Sequence, residues 1–343
     1  MIAGEIPTKA KVDYQAVAEK AIREVGYEPP DRFVDDIVTQ SPDIKQAIDE
    51  NETHEQGAGD QGIVYGYATD ETLSQIPLAA DLAHRLTYNL MRMHQGRNEL
   101  KLGADGKAQV TVAYGDDGSF RYIASVLISV QHDENADIET LRNGVRERIV
   151  QPALSEFNLD RTEIIINPGG RFVKGGFEAD TGLTGRKLMV DTYGGIAHHG
   201  GGAMSGKDPS KVDRSGAYMA RYIANTVIRA GLARTCEVSI AYAIGRAQPT
   251  AVNVDTFGTW TLASDKFIAE AVKKVFDMTP AGIIRQLRLK EISYARTAKF
   301  GHFGAYKFGH FGALNGYPWE RIDDETVVKL ERATDEAVVE WLK

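Results

Sequence analysis

Val110-Thr-Val-Ala-Tyr-Gly-Asp-Asp-Gly-Ser-Phe-Arg-Tyr-Ile-Ala-Ser-Val-Leu-Ile-Ser-Val130 is the stretch that decides the fold class. Val110, Val112 and Tyr114 recur at period two, Asp116-Asp117-Gly118 turns, and alternation resumes from Phe120 to Val130. Period two on both arms of a glycine turn predicts a β-hairpin. Downstream, Ile138, Leu141, Val145 and Ile149 form the apolar stripe of a helix, and Ile164-Ile165-Ile166 reads as a short buried strand. Upstream, Val12, Tyr14, Val17, Ala18, Ala21, Ile22 and Val25 recur at helical spacing, with Asp13 placed to cap them.

The same grammar returns later. Leu188-Met189-Val190 reads as a strand, with Arg186 and Lys187 entering it, and a glycine-rich loop runs from Gly194 to Gly206. Asp213 to Ile228 reads as a helix ending near Gly231; Val238, Ile240, Tyr242 and Ile244 alternate as a strand; Phe267 to Val275 is an amphipathic helix behind Ser264. Hairpin-paired strands with long helices between them predict two-layer α+β units, not one doubly wound parallel sheet. Gln40 to Gln61 is polar and rich in Asp, Glu and Gln, and reads as a long mobile loop. Lys299-Phe-Gly-His-Phe-Gly-Ala305 is repeated letter for letter at Lys307 to Ala313, which reads as a local duplication in a surface segment.

Composition narrows the function. The 343 residues are 43% hydrophobic and 26% charged, a globular profile without an apolar run long enough to span a bilayer. A single cysteine, Cys236, excludes an internal disulfide framework and a multi-cysteine zinc site. The net charge of −8 argues against general nucleic-acid binding, which rests on neutralising phosphates. Met1-Ile-Ala-Gly-Glu5 has neither the basic nor the apolar region of a signal peptide, so the expectation is a reduced, cytoplasmic protein.

His198-His-Gly-Gly-Gly-Ala-Met-Ser-Gly-Lys-Asp-Pro-Ser-Lys-Val-Asp-Arg214 is the stretch richest in chemistry. Glycines let a backbone approach an anion closely, and lysines supply countercharge. Gly201 to Lys207 satisfies the first half of a P-loop, but Asp208 stands where that motif needs a hydroxyl for magnesium, so the P-loop reading fails. The plain alternative is a flexible loop with solvated lysines. Lys207, Asp208, Lys211 and Asp213 together favour a polyphosphate-and-metal site. Three weaker candidates are Gly57-Ala-Gly-Asp-Gln-Gly62, Asp180-Thr-Gly-Leu-Thr-Gly-Arg-Lys187 and Asn167-Pro-Gly-Gly-Arg-Phe172, whose phenyl ring could stack a base or fill a core. His198 and His199 lack a third ligand at useful spacing and are read as polar loop residues.

Taken together, these segments resemble the bacterial type of methionine adenosyltransferase (S-adenosylmethionine synthetase). The resemblance runs in order from Gly4-Glu5-Ile6 through Gln40-Ser-Pro-Asp-Ile44, Glu55 to Gly62, Tyr67-Ala-Thr-Asp-Glu71, Asn167 to Phe172 and Gly182 to Lys187. It continues through Val190-Asp-Thr-Tyr-Gly-Gly195, Gly200 to Ser215, Tyr242-Ala-Ile-Gly245, Thr256-Phe-Gly-Thr259 and Pro318-Trp-Glu320. It implies synthesis of S-adenosylmethionine from ATP and L-methionine, with the triphosphate displaced and then hydrolysed to pyrophosphate and phosphate, aided by Mg2+ and K+. By position, Lys107, Arg186, Lys187, Lys207 and Lys211 would surround the phosphates, of which Lys107, Arg186, Lys207 and Lys211 would be catalytic. Asp60 and Asp105 would join the nucleotide site, Phe172 would stack on adenine, and Asp213 would hold magnesium. Glu5, Gln40, Asp180 and Lys211 would grip methionine, and Asp43 lies in the family's gating loop.

The resemblance further implies three related two-layer units about a pseudo-threefold axis, divided as 1–56, 57–175 and 176–323 with a C-terminal helix at 324–343. It implies a homodimer with active sites between subunits, possibly paired into a homotetramer. Departures include His198 for a usual arginine, Met204 for phenylalanine, Thr181 for a frequent cysteine, and a shortened segment between Tyr27 and Gln40. The family also normally carries an earlier Ser-Glu-x-His-Pro-Asp-Lys block with a phosphate-binding histidine and a magnesium aspartate, so the first unit is expected to be truncated. An alternative reading from another class follows: a weakened or inactive nucleotide-binding homologue acting through oligomerisation with a full-length partner.

Overall fold

The Asp116-Asp117-Gly118 turn forms as its residues require. Gly118 takes a φ of +73°, and the Asp117 carboxylate accepts from the Ser119 backbone N–H at 3.1 Å and from its hydroxyl at 2.6 Å. The computed structural model describes residues 1–6, 10–39, 56–183, 185–304 and 316–343. Its elements in chain order are β1 (Ile2–Glu5), α1 (Tyr14–Val25), β2 (Asp35–Val38), β3 (Gly62–Thr69), α2 (Leu78–Gln95), β4 (Leu102–Tyr114) and β5 (Phe120–His132). There follow α3 (Ile138–Val145), β6 (Glu163–Ile166), α4 (Leu188–Asp191), α5 (Val212–Arg229), β7 (Thr235–Tyr242), β8 (Ala251–Asp255), α6 (Asp265–Val275), α7 (Pro280–Gln286) and α8 (Asp324–Leu342). The chain divides into two compact units, one of Met1–Lys45 with Leu82–Gly182, the other of Gln46–Asp81 with Leu183–Lys343. The loop expected at Gln40 to Gln61 lies outside the described residues as far as residue 55, Gln40 and Asp43 included.

In the first unit β4 and β5 pair antiparallel and β6 adds to β5 in parallel, Ser125 opposite Glu163 through Ile128 opposite Ile166. Val126, Ile128 and Val130 are buried at period two. A register shift between Thr111 and Val112, which face Ser125 and Ile123, leaves Ala124 extra and returns Ile123 to the buried face. Leu82, Leu86 and Leu90 of α2 and Leu141 and Val145 of α3 are buried at helical spacing. A single wider, π-type turn at Arg146–Val150 keeps Ile149 buried before Pro152, which has no N–H to donate. Of the three isoleucines expected as a buried strand, only Ile166 is fully buried. The Asp13 cap of α1 accepts from the Ala16 N–H at 2.9 Å, as expected, while β2, paired in parallel with β1, had no periodicity to announce it.

Asn167 finishes that sheet. It is buried at φ +44°, and its amide accepts from the Val130 N–H at 2.8 Å and donates to the Val130 carbonyl at 3.0 Å, extending the ladder past the end of β6. Its own N–H donates to Ile128 O at 2.8 Å. Asn167→Ala is expected to strand two buried backbone groups at a φ that alanine tolerates poorly, a loss of roughly 2–3 kcal/mol readable by urea unfolding. An unchanged urea midpoint would count against this account.

In the second unit β3, β7 and β8 form an antiparallel sheet, Gly62 opposite Tyr242 through Thr69 opposite Thr235. Helix α5 packs on β3 and β7 and is buried almost throughout. The contact is close because Gly66 has no side chain: a Cβ there would overlap the backbone at Ala220 and Arg221. Helices α6 and α8 pack together in the same unit, and its core includes Val64, Val238, Ile240, Ile268, Ile283 and Trp319.

Three expectations are corrected. Leu188-Met189-Val190 is not a strand but part of the helical turn α4, so Arg186 and Lys187 enter a helix. Three apolar residues cannot distinguish the two periods; here Met189 and Val190 face solvent, and the Met189 carbonyl accepts from Gly194, whose φ of +69° reverses the chain. Ile244 lies beyond β7 and is exposed, because Ala243 and Gly245 turn the chain back onto Arg246 and Ala58. The first copy of the duplicated segment is no surface feature: Gly301 to Gly304 are buried, with His302 and Phe303 fully enclosed. The second copy lies outside the described residues.

Candidate active site

The glycine-rich loop is held at both ends and open between them. At its start the His198 N–H donates to Glu237 Oε2 at 3.0 Å while its ring Nδ1 meets Oε1 at 2.8 Å. Glu237 is itself buried in β7, so His198 supplies the partner this carboxylate needs. Next, His199 Nδ1 accepts from the Gly201 N–H at 2.8 Å, which leaves the ring proton on Nε2. Burial lowers the His199 pKa, against a smaller opposing pull from Asp213. Met204 then drives the loop into the core.

Beyond Met204 the charged residues converge. Lys207 Nζ stands 2.5 Å from Asp213 Oδ2 in the first turn of α5. Gly202 backs the same carboxyl, which a Cβ there would overlap. A narrow cleft lined by Tyr65, His199, Gly202 and Asp213 opens beside it. Lys211 occupies the N-cap position of the eighteen-residue helix α5 without a side-chain cap, and the Lys207 ammonium stands at the first turn through its pair with Asp213. Such an end favours anions through its unpaired donors and its dipole. Asp208, the residue that breaks the P-loop pattern, accepts from the Ser210 N–H at 2.8 Å and so shapes the turn into α5. Arg186 and Lys187 lie in the same unit, exposed before α4.

Asp60 sits exposed in the turn ahead of β3, where its carboxylate accepts from the Gln61 N–H at 2.8 Å. The turn is anchored by Ala58, whose N–H donates to Arg246 O and whose carbonyl accepts from Gly245 N–H, both at 2.9 Å. Gly57 is required there because a Cβ would meet the Gly245 backbone.

The remaining predicted residues belong to the first unit. Asp105 and Asp180 meet on one glycine: Asp105 Oδ2 accepts from the Gly176 N–H at 2.9 Å, and the Asp180 N–H donates to Gly176 O at 3.1 Å. Gln131 gathers the neighbours, accepting from the Asp105 N–H at 3.2 Å and from Tyr27 at 2.8 Å. Burial, with Asp105 and Glu178 nearby, pushes the Tyr27 phenol up to about 12. Phe172 is fixed to the end of β5, its N–H donating to His132 Nε2 at 3.0 Å and its carbonyl accepting from His132 N–H at 2.9 Å. Its ring is half-buried, and Lys107 is exposed on β4 opposite Ser129. Glu5 ends β1, exposed and paired with Val38 of β2. Gln40 lies outside the described residues.

Sequence reasoning missed the groups that hold this machinery in place. Arg214 donates to the Lys207 carbonyl at 2.6 Å and to the Thr297 hydroxyl at 3.2 Å. His302 bonds both Ser205 and Tyr218. Glu237 had a signal available, a carboxylate set among the apolar residues of a strand.

Comparison with known proteins agrees with this arrangement of segments. Residues 55–172 match the family model for the S-adenosylmethionine synthetase central domain, and residues 174–321 the model for its C-terminal domain. The chain is 46% identical over 331 residues to S-adenosylmethionine synthase 1 of Rhodopseudomonas palustris, covering 94% of this chain and 84% of that protein. It is 46% identical over 340 residues to the S-adenosylmethionine synthase of Lacticaseibacillus casei, with the same coverage. With that of Staphylococcus epidermidis it shares 43% identity over 348 residues, 96% of this chain and 85% of the relative.

Proposed function

Because the chain belongs to the S-adenosylmethionine synthetase family, we propose that it makes S-adenosylmethionine from ATP and L-methionine. The methionine sulfur attacks C5′ of ATP, the C5′–oxygen bond breaks, and triphosphate departs, to be hydrolysed to pyrophosphate and phosphate. The observation that carries this reading is the Lys207–Asp213 ion pair in the first turn of α5, the buried helix whose N-cap is Lys211. A departing polyanion needs cations already in place, since preorganised electrostatics is commonly the largest catalytic contribution.

The roles follow from charge and position. Lys207 and Lys211 face the phosphates from the glycine loop, and Arg186, Lys187 and Lys107 add charge around them. Phe172, clamped by His132, offers a ring face for adenine, while Asp60 and Asp105 join the nucleotide site. Glu5, Gln40, Asp180 and Lys211 receive methionine. Asp213 would hold Mg2+. An ion held by one carboxylate would take its remaining oxygens from substrate phosphates and water. Bound there, the ion would supply charge neutralisation of the triphosphate. K+ is the second cation proposed, with no residue of this chain assigned to it. No helix among the described residues is long and apolar enough to cross a membrane. The compartment proposed with the family's reaction is the cytoplasm.

The fold proposed with this function is three related two-layer units about a pseudo-threefold axis, divided as 1–56, 57–175 and 176–323, with a C-terminal helix at 324–343. The test of activity is direct: incubation with ATP, methionine, Mg2+ and K+, followed by mass-spectrometric detection of S-adenosylmethionine alongside phosphate and pyrophosphate. A chain that yields none of the three under any cation condition does not carry this activity. A site shared between subunits predicts a homodimer or homotetramer at micromolar concentration by gel filtration with light scattering. A monomer that turns over substrate would sink that prediction.

A further inference from the structure

A buried hydrogen-bond chain ends on the glycine loop, and its direction can be read from the chemistry of its members. Arg214 Nε lies 3.0 Å from the Tyr218 hydroxyl. A guanidinium only donates, so the phenol oxygen accepts. Burial pushes the Tyr218 pKa upward, so the phenol keeps its proton. That proton has His302 Nδ1 at 2.7 Å. Burial, aided by Arg214, pushes the His302 imidazole down to about 3, so it is neutral and carries one ring proton. With Nδ1 accepting from Tyr218, the ring proton belongs on Nε2, 3.0 Å from Ser205 Oγ. Ser205 therefore accepts from His302, and its own O–H proton is turned away from the histidine.

The chain is rigid where it is buried and ends where the loop opens. His302 is fully enclosed, its N–H donating to Asp191 O at 2.8 Å and its carbonyl accepting from Trp319 Nε1 at 2.9 Å. Ser205 is half-exposed, two residues before Lys207, in a turn closed by Lys207 N–H on Met204 O at 3.3 Å with Gly206 at φ +85°. Arg214, the first donor of the chain, also holds the Lys207 carbonyl at 2.6 Å. One side chain thus fixes both the loop's lysine and the polarity of its serine.

We propose that Ser205 is a further phosphate-contacting residue, its hydroxyl proton presented to the triphosphate because Arg214, Tyr218 and His302 donate in one direction along the chain. This rests on the reading of the glycine loop as the triphosphate site. A purely structural brace between α5 and residues 295–304 would carry the same hydrogen bonds without any anion at Ser205, so tripolyphosphate affinity in Ser205→Ala separates the two. Tyr218 and His302 are positioning residues here; of the hydrogen-bond chain's members, Ser205 is the one that would touch the anion.

The experiment combines imidazole nitrogen NMR with calorimetric titration of inorganic tripolyphosphate and with turnover. The wild type should show His302 protonated on Nε2. Ser205→Ala should bind tripolyphosphate about tenfold or more weakly, as expected for a lost hydrogen bond to a charged group, and should remain folded with a lowered melting temperature, since His302 Nε2–H loses its acceptor. Its kcat should fall comparably while the KM for methionine holds, and Ser205→Thr should recover most of the loss. Tyr218→Phe should redistribute the His302 tautomers and weaken tripolyphosphate although residue 218 itself is buried away from the anion. A wild-type His302 protonated on Nδ1, or tripolyphosphate affinity unmoved in Ser205→Ala, overturns the inference. If the wild type makes S-adenosylmethionine and Ser205→Ala does so equally well, the inference fails alone. If the wild type binds tripolyphosphate through Ser205 but forms no S-adenosylmethionine, the contact stands and the reaction assigned to the site falls.

Discussion

Arg221→Leu is expected to destabilise the folded chain by about 3–5 kcal/mol, the usual result of removing one partner from a buried ion pair. Arg221 is fully enclosed in α5, and its guanidinium donates to Glu320 at 3.0 and 2.9 Å. It also donates to the Tyr67 carbonyl at 2.6 Å, Gln75 at 2.7 Å and Ser74 at 2.8 Å. Those last two carbonyls belong to a turn in which Gln75 takes a φ of +55°. The leucine would leave the Glu320 carboxylate buried with only the Gly304 N–H at 3.1 Å and the Asn225 amide at 3.3 Å. Three carbonyls would each lose one donor as well, that of Gln75 keeping the Thr69 N–H at 3.2 Å. Set against a typical total of about 5–15 kcal/mol, such a loss is a large share of stability. The double variant Arg221→Leu, Glu320→Leu should lose less than the two single changes added, because no lone charge remains buried. Urea unfolding of the three variants checks both statements. A single variant within about 1 kcal/mol of wild type would show that water reaches this site.

That arginine marks the boundary of what the sequence makes legible. The hairpin at Val110–Val130, the Asp13-capped helix and the helix after the glycine loop could be read because each is decided by neighbours within a turn or a strand. The resemblance placed Lys207, Lys211 and Asp213 in one site, and two of them do form an ion pair at the start of α5. Arg221, Arg214 and His302 were illegible for the opposite reason, and Glu237 showed only a carboxylate among the apolar residues of a strand, with nothing to name its partner. A charged or polar residue reads as surface by default, and each of these is buried only because a partner far along the chain receives it: Glu320 for Arg221, Thr297 for Arg214, His198 for Glu237, Tyr218 for His302. The error at Leu188–Val190 has a related cause. Three apolar residues fit either period, and the choice was made by the glycine reversal that follows them. The parallel pairing of β6 beside β5 was likewise hidden, since three isoleucines do not say which way their neighbour runs.

Lys207→Ala is expected to reduce S-adenosylmethionine formation by about 10²–10³-fold, equivalent to roughly 3–4 kcal/mol in the transition state, the effect of removing one preorganised group from a developing charge. Without substrate the ammonium neutralises Asp213 at 2.5 Å. This pair is partly open to solvent, the lysine side chain one-third exposed at 34%, so its loss should move stability by no more than about 1 kcal/mol. The two effects therefore separate: a melting temperature near wild type with most of the turnover gone. Charge alone does not suffice, because the position is set from behind by Arg214 on the Lys207 carbonyl and by the turn on Met204. Lys207→Arg should accordingly fall short of wild type, since a planar fork cannot occupy the place of a compact ammonium 2.5 Å from a carboxylate. Single-turnover formation of product, measured beside a thermal melt for each variant, decides the matter. Turnover unchanged in Lys207→Ala would move the triphosphate away from the glycine loop. A collapse of both turnover and melting temperature would instead make the Lys207–Asp213 pair a structural tie, leaving Lys211 and the helix end as the countercharge.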